Sequence, residues 1–145
     1  MRVKLGQVWL PLLAIVLACG GSTAPSSPRV RIEPTFTTYF PGDSVFIALR
    51  NIGPSPLHFS ACGSSLEMFS EGHWTSIAVQ VDPCTAHLNP AVASGGTETH
   101  HAGALPATLS AGTYRYVVAS ILTLEREMLS AAERASAPFL VASQD

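Results

Sequence analysis

The sequence predicts an all-β domain, a sandwich of about seven to eight short antiparallel strands. Apolar residues alternate with other residues over short segments, most clearly at Val45, Ile47 and Leu49. Turn residues such as Pro41-Gly42-Asp43 separate these segments, and 123–135 stands out as rich in helix formers. Period-two alternation buries one face of a strand, as two sheets packed face to face require.

The first 18 residues predict an export signal. Arg2 and Lys4 give a positive start, and an apolar run follows from Val8 to Ala18, interrupted only by Pro11. A permanent helix across about 30 Å of hydrocarbon needs about 20 residues, so this run is too short to remain as a membrane span. It ends in a small residue, as signal cleavage sites do. We therefore expect residues 1–18 to be removed.

Cys19 follows this segment directly. Val16-Leu17-Ala18-Cys19 resembles the lipobox of bacterial lipoproteins, in which the cysteine becomes the acylated N-terminus. The resemblance implies that Cys19 is lipidated, palmitate being one such acyl group, and that several chains anchor the protein stably where one would not. It implies a place in the bacterial cell envelope, and Gly20 at the next position favours the outer membrane. An ordinary secretory signal with an incidental cysteine is the alternative.

Residues 19–28 are small, polar and rich in Gly, Ser and Pro, which predicts a lipidated flexible tether. Fully extended, such a segment reaches roughly 30 Å. The folded domain is then 29–145. Without the signal peptide the chain keeps six arginines against ten acidic residues, a net charge near −4. This balance argues against nucleic acid as a partner and leaves the membrane, reached through the lipid, and an envelope protein.

Strand-like segments follow one another through most of the domain, with a hairpin turn at Ser70–His73 between two of them. Leu109-Ser-Ala-Gly112-Thr-Tyr114 has the spacing of a tyrosine corner, in which the tyrosine hydroxyl bonds back to the preceding turn. Thr123–Ala135 is compatible with a short helix or a long loop, and Pro138 ends it. The strand-like segments are 30–33 and 35–40, which only Pro34 separates, and 45–50, 57–61, 66–69, 74–81, 97–101, 115–122 and 139–142.

The order of several weak motifs resembles the immunoglobulin-like domains of small bacterial envelope lipoproteins. These motifs are the strand end at Leu49-Arg-Asn51, the Gly72-His-Trp74 hairpin, the Gly112-x-Tyr114 strand and the final Ala137-Pro-Phe139-Leu-Val141. The resemblance implies an immunoglobulin-like sandwich and assigns no catalytic residues. A more distant likeness is to the intracellular proteinase inhibitors of bacilli, which makes protease inhibition a second alternative function.

Two cysteines remain once Cys19 carries lipid. An even pair in an exported protein predicts a disulfide, here Cys62–Cys84. Closing a loop of about 20 residues would stabilise the fold by roughly 3 kcal/mol. The alternative is a metal or redox site formed by His58, Cys62, Cys84 and His87, with His100 and His101 as a further soft pair. A reactive cysteine with His58 or His87 as its base is a weaker alternative.

Nothing else in the sequence predicts catalysis. There is no Gly-x-Ser-x-Gly turn, phosphate-binding glycine loop or dinucleotide motif, so we expect a non-enzymatic protein without a cofactor. Aromatic side chains in the strands are expected to pack mostly in the core, although an exposed aromatic face for a ligand is also possible. These side chains are Phe36, Tyr39, Phe46, Phe59, Phe69, Trp74, Tyr114, Tyr116 and Phe139.

Overall fold

The fold is taken from a computed structural model, which describes residues 29–60, 62–77 and 91–143. Within these ranges the chain forms short strands and one turn of helix. The elements are β1 Val30–Pro34, β2 Thr38–Tyr39, β3 Ser44–Asn51, β4 His58–Ser60, β5 Ser65–Ser70, β6 His73–Ile77, β7 Thr97–Ala104, β8 Gly112–Val117, β9 Ser120–Leu122, α1 Ala131–Arg134 and β10 Phe139–Val141. In this part of the chain no helix is long and apolar enough to cross a membrane.

The strands form two main sheets that share one core. The three-stranded sheet has the order β1-β3-β7, and the five-stranded sheet has the order β2-β10-β8-β5-β6. A separate pair, β4 with β9, forms a small third sheet. All described pairs of strands are antiparallel except β2 with β10, which are parallel. The predicted all-β, immunoglobulin-like sandwich is confirmed.

Strand β3 shows how alternation produces the sandwich. Val45, Ile47 and Leu49 are almost fully buried, whereas Phe46 between them is exposed. Successive side chains of a strand point to opposite faces, so the apolar set at odd positions enters the core as a group. Tyr114 and Phe139 of the other sheet belong to the same buried cluster.

The predicted tyrosine corner is present. The Tyr114 hydroxyl donates to the Ser110 carbonyl oxygen at 2.7 Å and lies 3.2 Å from the Ser110 Oγ. Its ring is fully buried. Gly112 packs beside this ring, since a Cβ at this position would lie 3.4 Å from it, at ordinary van der Waals distance. The bond ties the loop before β8 to the strand itself.

Asn51, the last residue of β3, makes hydrogen bonds that the sequence motif did not predict. Its side chain is fully buried. The amide nitrogen donates to the carbonyl oxygens of Ser55 at 2.8 Å and Val92 at 2.9 Å, and the amide oxygen accepts from the Gly53 N–H at 3.0 Å. One side chain therefore joins the loop after β3 to the segment before β7.

The predicted strand 115–122 is interrupted in the structure. Val118 and Ala119 are not part of a strand. The Arg134 guanidinium donates to the carbonyl oxygen of Val118 at 2.6 Å and to that of Ala119 at 2.7 Å, so these oxygens bond to a side chain and not to a neighbouring strand. The part before the break is β8 of the five-stranded sheet, and the part after it is β9 of the small sheet. The predicted strand 35–40 is shorter too, and only Thr38–Tyr39 form a ladder.

Thr123–Ala135 is mainly a loop. Thr123 donates its N–H to the Glu127 carbonyl oxygen, and Arg126 donates to the Thr123 carbonyl oxygen, both at 3.0 Å. Arg126 has a φ of 62°, which a continuing right-handed helix does not allow. Helix appears only as the single turn α1, whose N-cap Ser130 forms a capping box with Glu133.

Strand direction places the start of the domain and several loops at one end of the sandwich. Val30 of β1 pairs with Asn51, so the loop after β3 begins at this end. Since Ala137 donates to the Ile32 carbonyl oxygen and β10 then runs away from it, the segment 118–137 also emerges here. We call this end, formed by Arg29 and the segments 52–60, 62–64, 91–96 and 118–137, the N-terminal end.

Candidate binding surface

The outer face of the five-stranded sheet has a row of side chains in register across all of its strands. Leu140 of β10 pairs with Thr38 on one side and with Thr113 on the other. Thr113 pairs with Phe69, and Phe69 pairs with Trp74. We call Thr38, Leu140, Thr113, Phe69 and Trp74 the apolar row. Pairing at directly opposite positions brings neighbouring side chains to about 5 Å, so the row forms one continuous surface.

The large side chains of the row are exposed. Leu140 is 53% and Phe69 45% exposed, and Trp74 is partly exposed. The rings of Phe69 and Trp74 contact each other, with their centroids 5.1 Å apart. Near the β2 edge of the same sheet, Phe36 and Phe40 are also exposed. Clustered exposed apolar side chains on a folded domain indicate an interaction surface.

An ion pair borders the row on one side. Arg115 Nη2 lies 2.7 Å from Glu67 Oε2, on neighbouring strands β8 and β5. The Arg115 guanidinium also lies over the Trp74 ring, 4.2 Å from the ring centroid. One face of the indole is therefore already covered by a cation, and the two charges neutralise each other. The surface beside them is apolar and carries no net charge.

The outer face of the three-stranded sheet differs. Phe46 is 43% exposed, and its ring contacts the His101 ring on the same face, with centroids 5.1 Å apart. The neighbouring outward positions of β1 and β3 are polar or small, including Arg31, Arg50 and Ala48. A single exposed aromatic of this kind is ordinary for a protein surface.

The expectation that most of these aromatic side chains pack in the core is confirmed, because five of the nine are buried. Phe36, Phe46 and Phe69 are exposed, and Trp74 is half-buried. The position of each aromatic residue within its strand indicated which ones would be exposed, because successive side chains point to opposite faces. Phe69 points to the same face as Glu67, and Phe46 lies between two residues that point inward. The buried aromatics are Tyr39, Phe59, Tyr114, Tyr116 and Phe139.

The residues predicted for the disulfide and for the metal site are only partly described. His58 lies in β4 and lines a cavity of about 320 Å³ with Leu122 and Leu124. Cys62 lies in the turn that follows β4. Cys19, Cys84 and His87 lie outside the described residues, so lipidation, the disulfide and the metal alternative stay predictions. Over 29–60, 62–77 and 91–143 no group of three His, Cys, Asp or Glu side chains could hold a metal ion.

His100 and His101 do not form the soft pair that the sequence suggested. As neighbours in β7 they point to opposite faces, and His101 contacts Phe46 outside. His100 lies against the Phe59 ring, with centroids 4.3 Å apart. Burial lowers the pKa of His100, and the nearby Glu98 carboxylate opposes this shift. Its Nε2 is buried without a hydrogen-bond partner among the described residues.

Tyr116 is the other buried group with an unusual titration. Its hydroxyl has no hydrogen-bond partner in the described part of the chain, and burial raises the pKa of Tyr116 to about 12. A Cβ at Gly103 would lie 3.8 Å from this hydroxyl, so the ring reaches from β8 across the core to β7. The hydroxyl stays protonated, and its role is packing.

A second, more open cleft of about 670 Å³ lies between β1 and the segment Ser130–Ala137. Arg29 and Glu133 form an ion pair at its border, with Arg29 Nε 3.2 Å from Glu133 Oε1. Hydrogen bonds from Arg29 and Ser130 lower the pKa of Glu133. The pair links the start of the domain to α1, which is a structural role.

No protein-family model matches the sequence, and no curated protein matches it either. Among solved structures, the chain is similar to Northeast Structural Genomics Consortium target SoR45, with 16% identity over 78% of this chain and 83% of that chain and a TM-score of 0.45. It is also similar to the PapD-like domain 7 of human CEP192, with 17% identity over 99% and 96% of the chains and a TM-score of 0.35. A third is the alkylpurine DNA glycosylase AlkC of Pseudomonas fluorescens, with 12% identity over 81% and 31% and a TM-score of 0.35.

Proposed function

We propose that this chain is a lipid-anchored protein of the bacterial cell envelope whose immunoglobulin-like domain acts as a non-enzymatic binding module. Cys19 provides the anchor, at the outer membrane, and the apolar row binds a protein partner in the envelope. The observation that carries the proposal is the register of Leu140, Thr113, Phe69 and Trp74 across one outer face.

The chemistry of the row favours a protein over a sugar as the partner. Aromatic side chains and arginine are enriched at the centres of protein interfaces, where a flat apolar patch is bordered by polar groups. Here Phe69 and Leu140 supply the patch, and Arg115 with Glu67 supplies the polar border. A sugar ring would stack on an open indole face, and the Arg115 guanidinium already occupies one of the two faces of Trp74.

The position of the row is compatible with a domain held by its N-terminus. The row crosses β8 at Thr113, next to the strand start at Gly112. Val117, at the other end of β8, leads into the segment 118–137 at the N-terminal end. The row therefore lies toward the end of the sandwich that faces away from the predicted anchor, where a partner can reach it.

The first experiment identifies the partner in the native envelope. A photo-crosslinking amino acid replaces Phe69 in the full-length protein, and the matched control carries it at Phe46, which has nearly the same exposure on the other sheet. We expect one protein to be cross-linked from position 69 and not from position 46. Equal cross-linking from both positions would contradict the proposed face.

The second experiment measures affinity with the purified partner. Interface aromatics at the centre of a patch contribute strongly, so Phe69→Ser and Leu140→Ser are expected to weaken binding at least about tenfold. The Phe46→Ser variant is expected to bind as the parent protein does. If all three variants bind equally well, the apolar row is not the binding surface.

The anchor is tested separately with Cys19→Ala. The parent protein is expected to fractionate with envelope membranes and to carry acyl chains, whereas the variant should lose both properties. Mass spectrometry of the mature N-terminus distinguishes an acylated cysteine from an ordinary secretory cleavage. An unmodified cysteine would disprove the lipid anchor without affecting the proposed binding face.

A further inference from the structure

We propose that the N-terminal end of the domain rests on the surface of the bilayer that holds Cys19, and that Ile52, Leu124 and Met128 make the contact. This inference rests on the proposed lipid anchor and adds an orientation to it. The occupant of this apolar end is the lipid surface itself.

Three large apolar side chains are exposed at this end. Leu124 is 54%, Met128 56% and Ile52 42% exposed. Ile52 follows β3, and its N–H donates to the Arg29 carbonyl oxygen at 2.9 Å, directly at the start of the domain. Leu124 and Met128 belong to the segment between β9 and α1, which emerges at the same end. Apolar side chains of this kind bury themselves in the interface between lipid headgroups and acyl chains.

The turn that presents Leu124 has a defined backbone. Thr123 and Glu127 exchange two contacts, a main-chain hydrogen bond at 3.0 Å and a bond from the Glu127 N–H to the Thr123 Oγ1 at 3.2 Å. Leu122 forms a bridge with Met128, and Leu129 beyond it is buried in the core. Leu124 and Met128 are therefore held outward by a turn whose base is part of the fold.

The position at which residues 19–28 join the domain, and the length of that segment, favour the lipid surface as the occupant of this end. The Arg29 side chain is paired with Glu133, which fixes the start of the domain beside α1. Ten residues separate the domain from the end of the predicted signal peptide, counting Cys19 to Pro28. For a Gly/Ser-rich composition this predicts an average span of about 18 Å. The N-terminal end is thus kept near the bilayer, so even a weak apolar contact is made repeatedly.

The charges at this end indicate which lipids matter. Glu125, Arg126 and Glu127 are all exposed beside Leu124, and together they carry one net negative charge. Anionic lipids should therefore not strengthen the contact, and salt should not weaken it. The contact is expected on neutral phosphatidylcholine, through the apolar side chains alone.

The test uses the full mature lipoprotein reconstituted in phosphatidylcholine vesicles that contain brominated phosphatidylcholine, which quenches tryptophan on contact. Trp74 is replaced by phenylalanine, because it is the only tryptophan outside the predicted signal peptide. Into this protein we introduce Leu124→Trp or, as a second probe of the same end, Met128→Trp. The matched control is Phe36→Trp, at an exposed position beyond β1 on the side away from the N-terminal end.

We expect the fluorescence of the Leu124→Trp and Met128→Trp proteins to fall to about half in brominated vesicles, because their side chains enter the interface. The Phe36→Trp protein should keep its fluorescence. Phosphatidylglycerol added to the vesicles should not increase the quenching of the first two. This pattern supports the inference.

Three other outcomes would overturn it. If the protein floats with the vesicles but all probes behave alike, the anchor stands and the domain has no preferred end on the bilayer. If the protein does not float, the lipid anchor fails and this inference fails with it. If Leu124→Trp is shielded from a water-soluble quencher in native envelopes but is not quenched by brominated lipid, a protein covers this end instead.

Discussion

The two outer faces of the sandwich contain exposed phenylalanines of nearly equal accessibility, yet only one of these faces is a candidate for binding. Phe69 is 45% and Phe46 43% exposed. Phe69 has Trp74 on one side and, beyond Thr113, Leu140 on the other, whereas the aromatic neighbour of Phe46 among the described residues is the His101 ring. The exposure of one apolar side chain therefore does not by itself indicate a binding surface. Register across several strands turns single residues into a surface.

The largest expected effect is a difference in stability between a substitution in the core and a substitution in the apolar row above it. Phe139 and Leu140 are neighbours in β10, but Phe139 is buried against Tyr39, Tyr114 and Tyr116. Phe139→Ala is expected to lower the free energy of unfolding by about 3–5 kcal/mol. Leu140→Ala should change it by less than about 1 kcal/mol. Urea unfolding of both variants measures the difference. Similar losses would mean that the row is a structural element.

A second prediction compares the ion pairs of the two faces. Arg115 and Glu67 are each less than a quarter exposed and lie 2.7 Å apart, whereas Arg31 and Glu33 are well exposed and lie 3.9 Å apart. Arg115→Gln should cost about 1 kcal/mol of unfolding free energy, because Glu67 loses its partner and Trp74 its cation. Arg31→Gln should cost almost nothing. A change in Trp74 fluorescence only in the first variant would report the loss of the guanidinium over the ring.

The smallest expected effect concerns the two adjacent histidines of β7. Because burial holds the pKa of His100 below its ordinary value of 6.5, the unfolded chain binds a proton at a higher pH than the folded chain does. Stability should therefore fall as the pH decreases through about 6.5 and level off below the pKa of the folded state. His100→Gln should reduce this dependence, and His101→Gln on the outer face is the matched control. Unfolding free energies between about pH 5 and pH 8 provide the measurement.

Much of the fold could be predicted from local patterns. Alternation at Val45, Ile47 and Leu49 and the spacing of Gly112 and Tyr114 are signals carried by a few consecutive residues, and the structure confirms both. The break between β8 and β9 could not be predicted in this way. It depends on Arg134, which is distant in sequence and binds the carbonyl oxygens of Val118 and Ala119 only in the folded chain.

The candidate sites divide along the same line. The Cys62–Cys84 disulfide is a sequence prediction, and a count of free thiols in unreduced protein tests it against the metal alternative that includes His58 and His87. The exposure of Phe69 could be predicted from its position in the strand, because Phe69 lies two residues from Glu67 and therefore points to the same face. The alignment of Leu140 with Phe69 could not be predicted from the sequence, because it depends on the strand order β10-β8-β5 in the folded sheet.

The sequence by itself determined the predicted export signal, the lipidation motif at Cys19, the all-β class and the turns, because each depends on residues close together in the chain. Only the tertiary structure decided which aromatic side chains are exposed and which loops share an end with Arg29. The physical reason is that register and strand order bring together residues that are distant in sequence. Both proposed surfaces, the apolar row and the N-terminal end, consist of such residues.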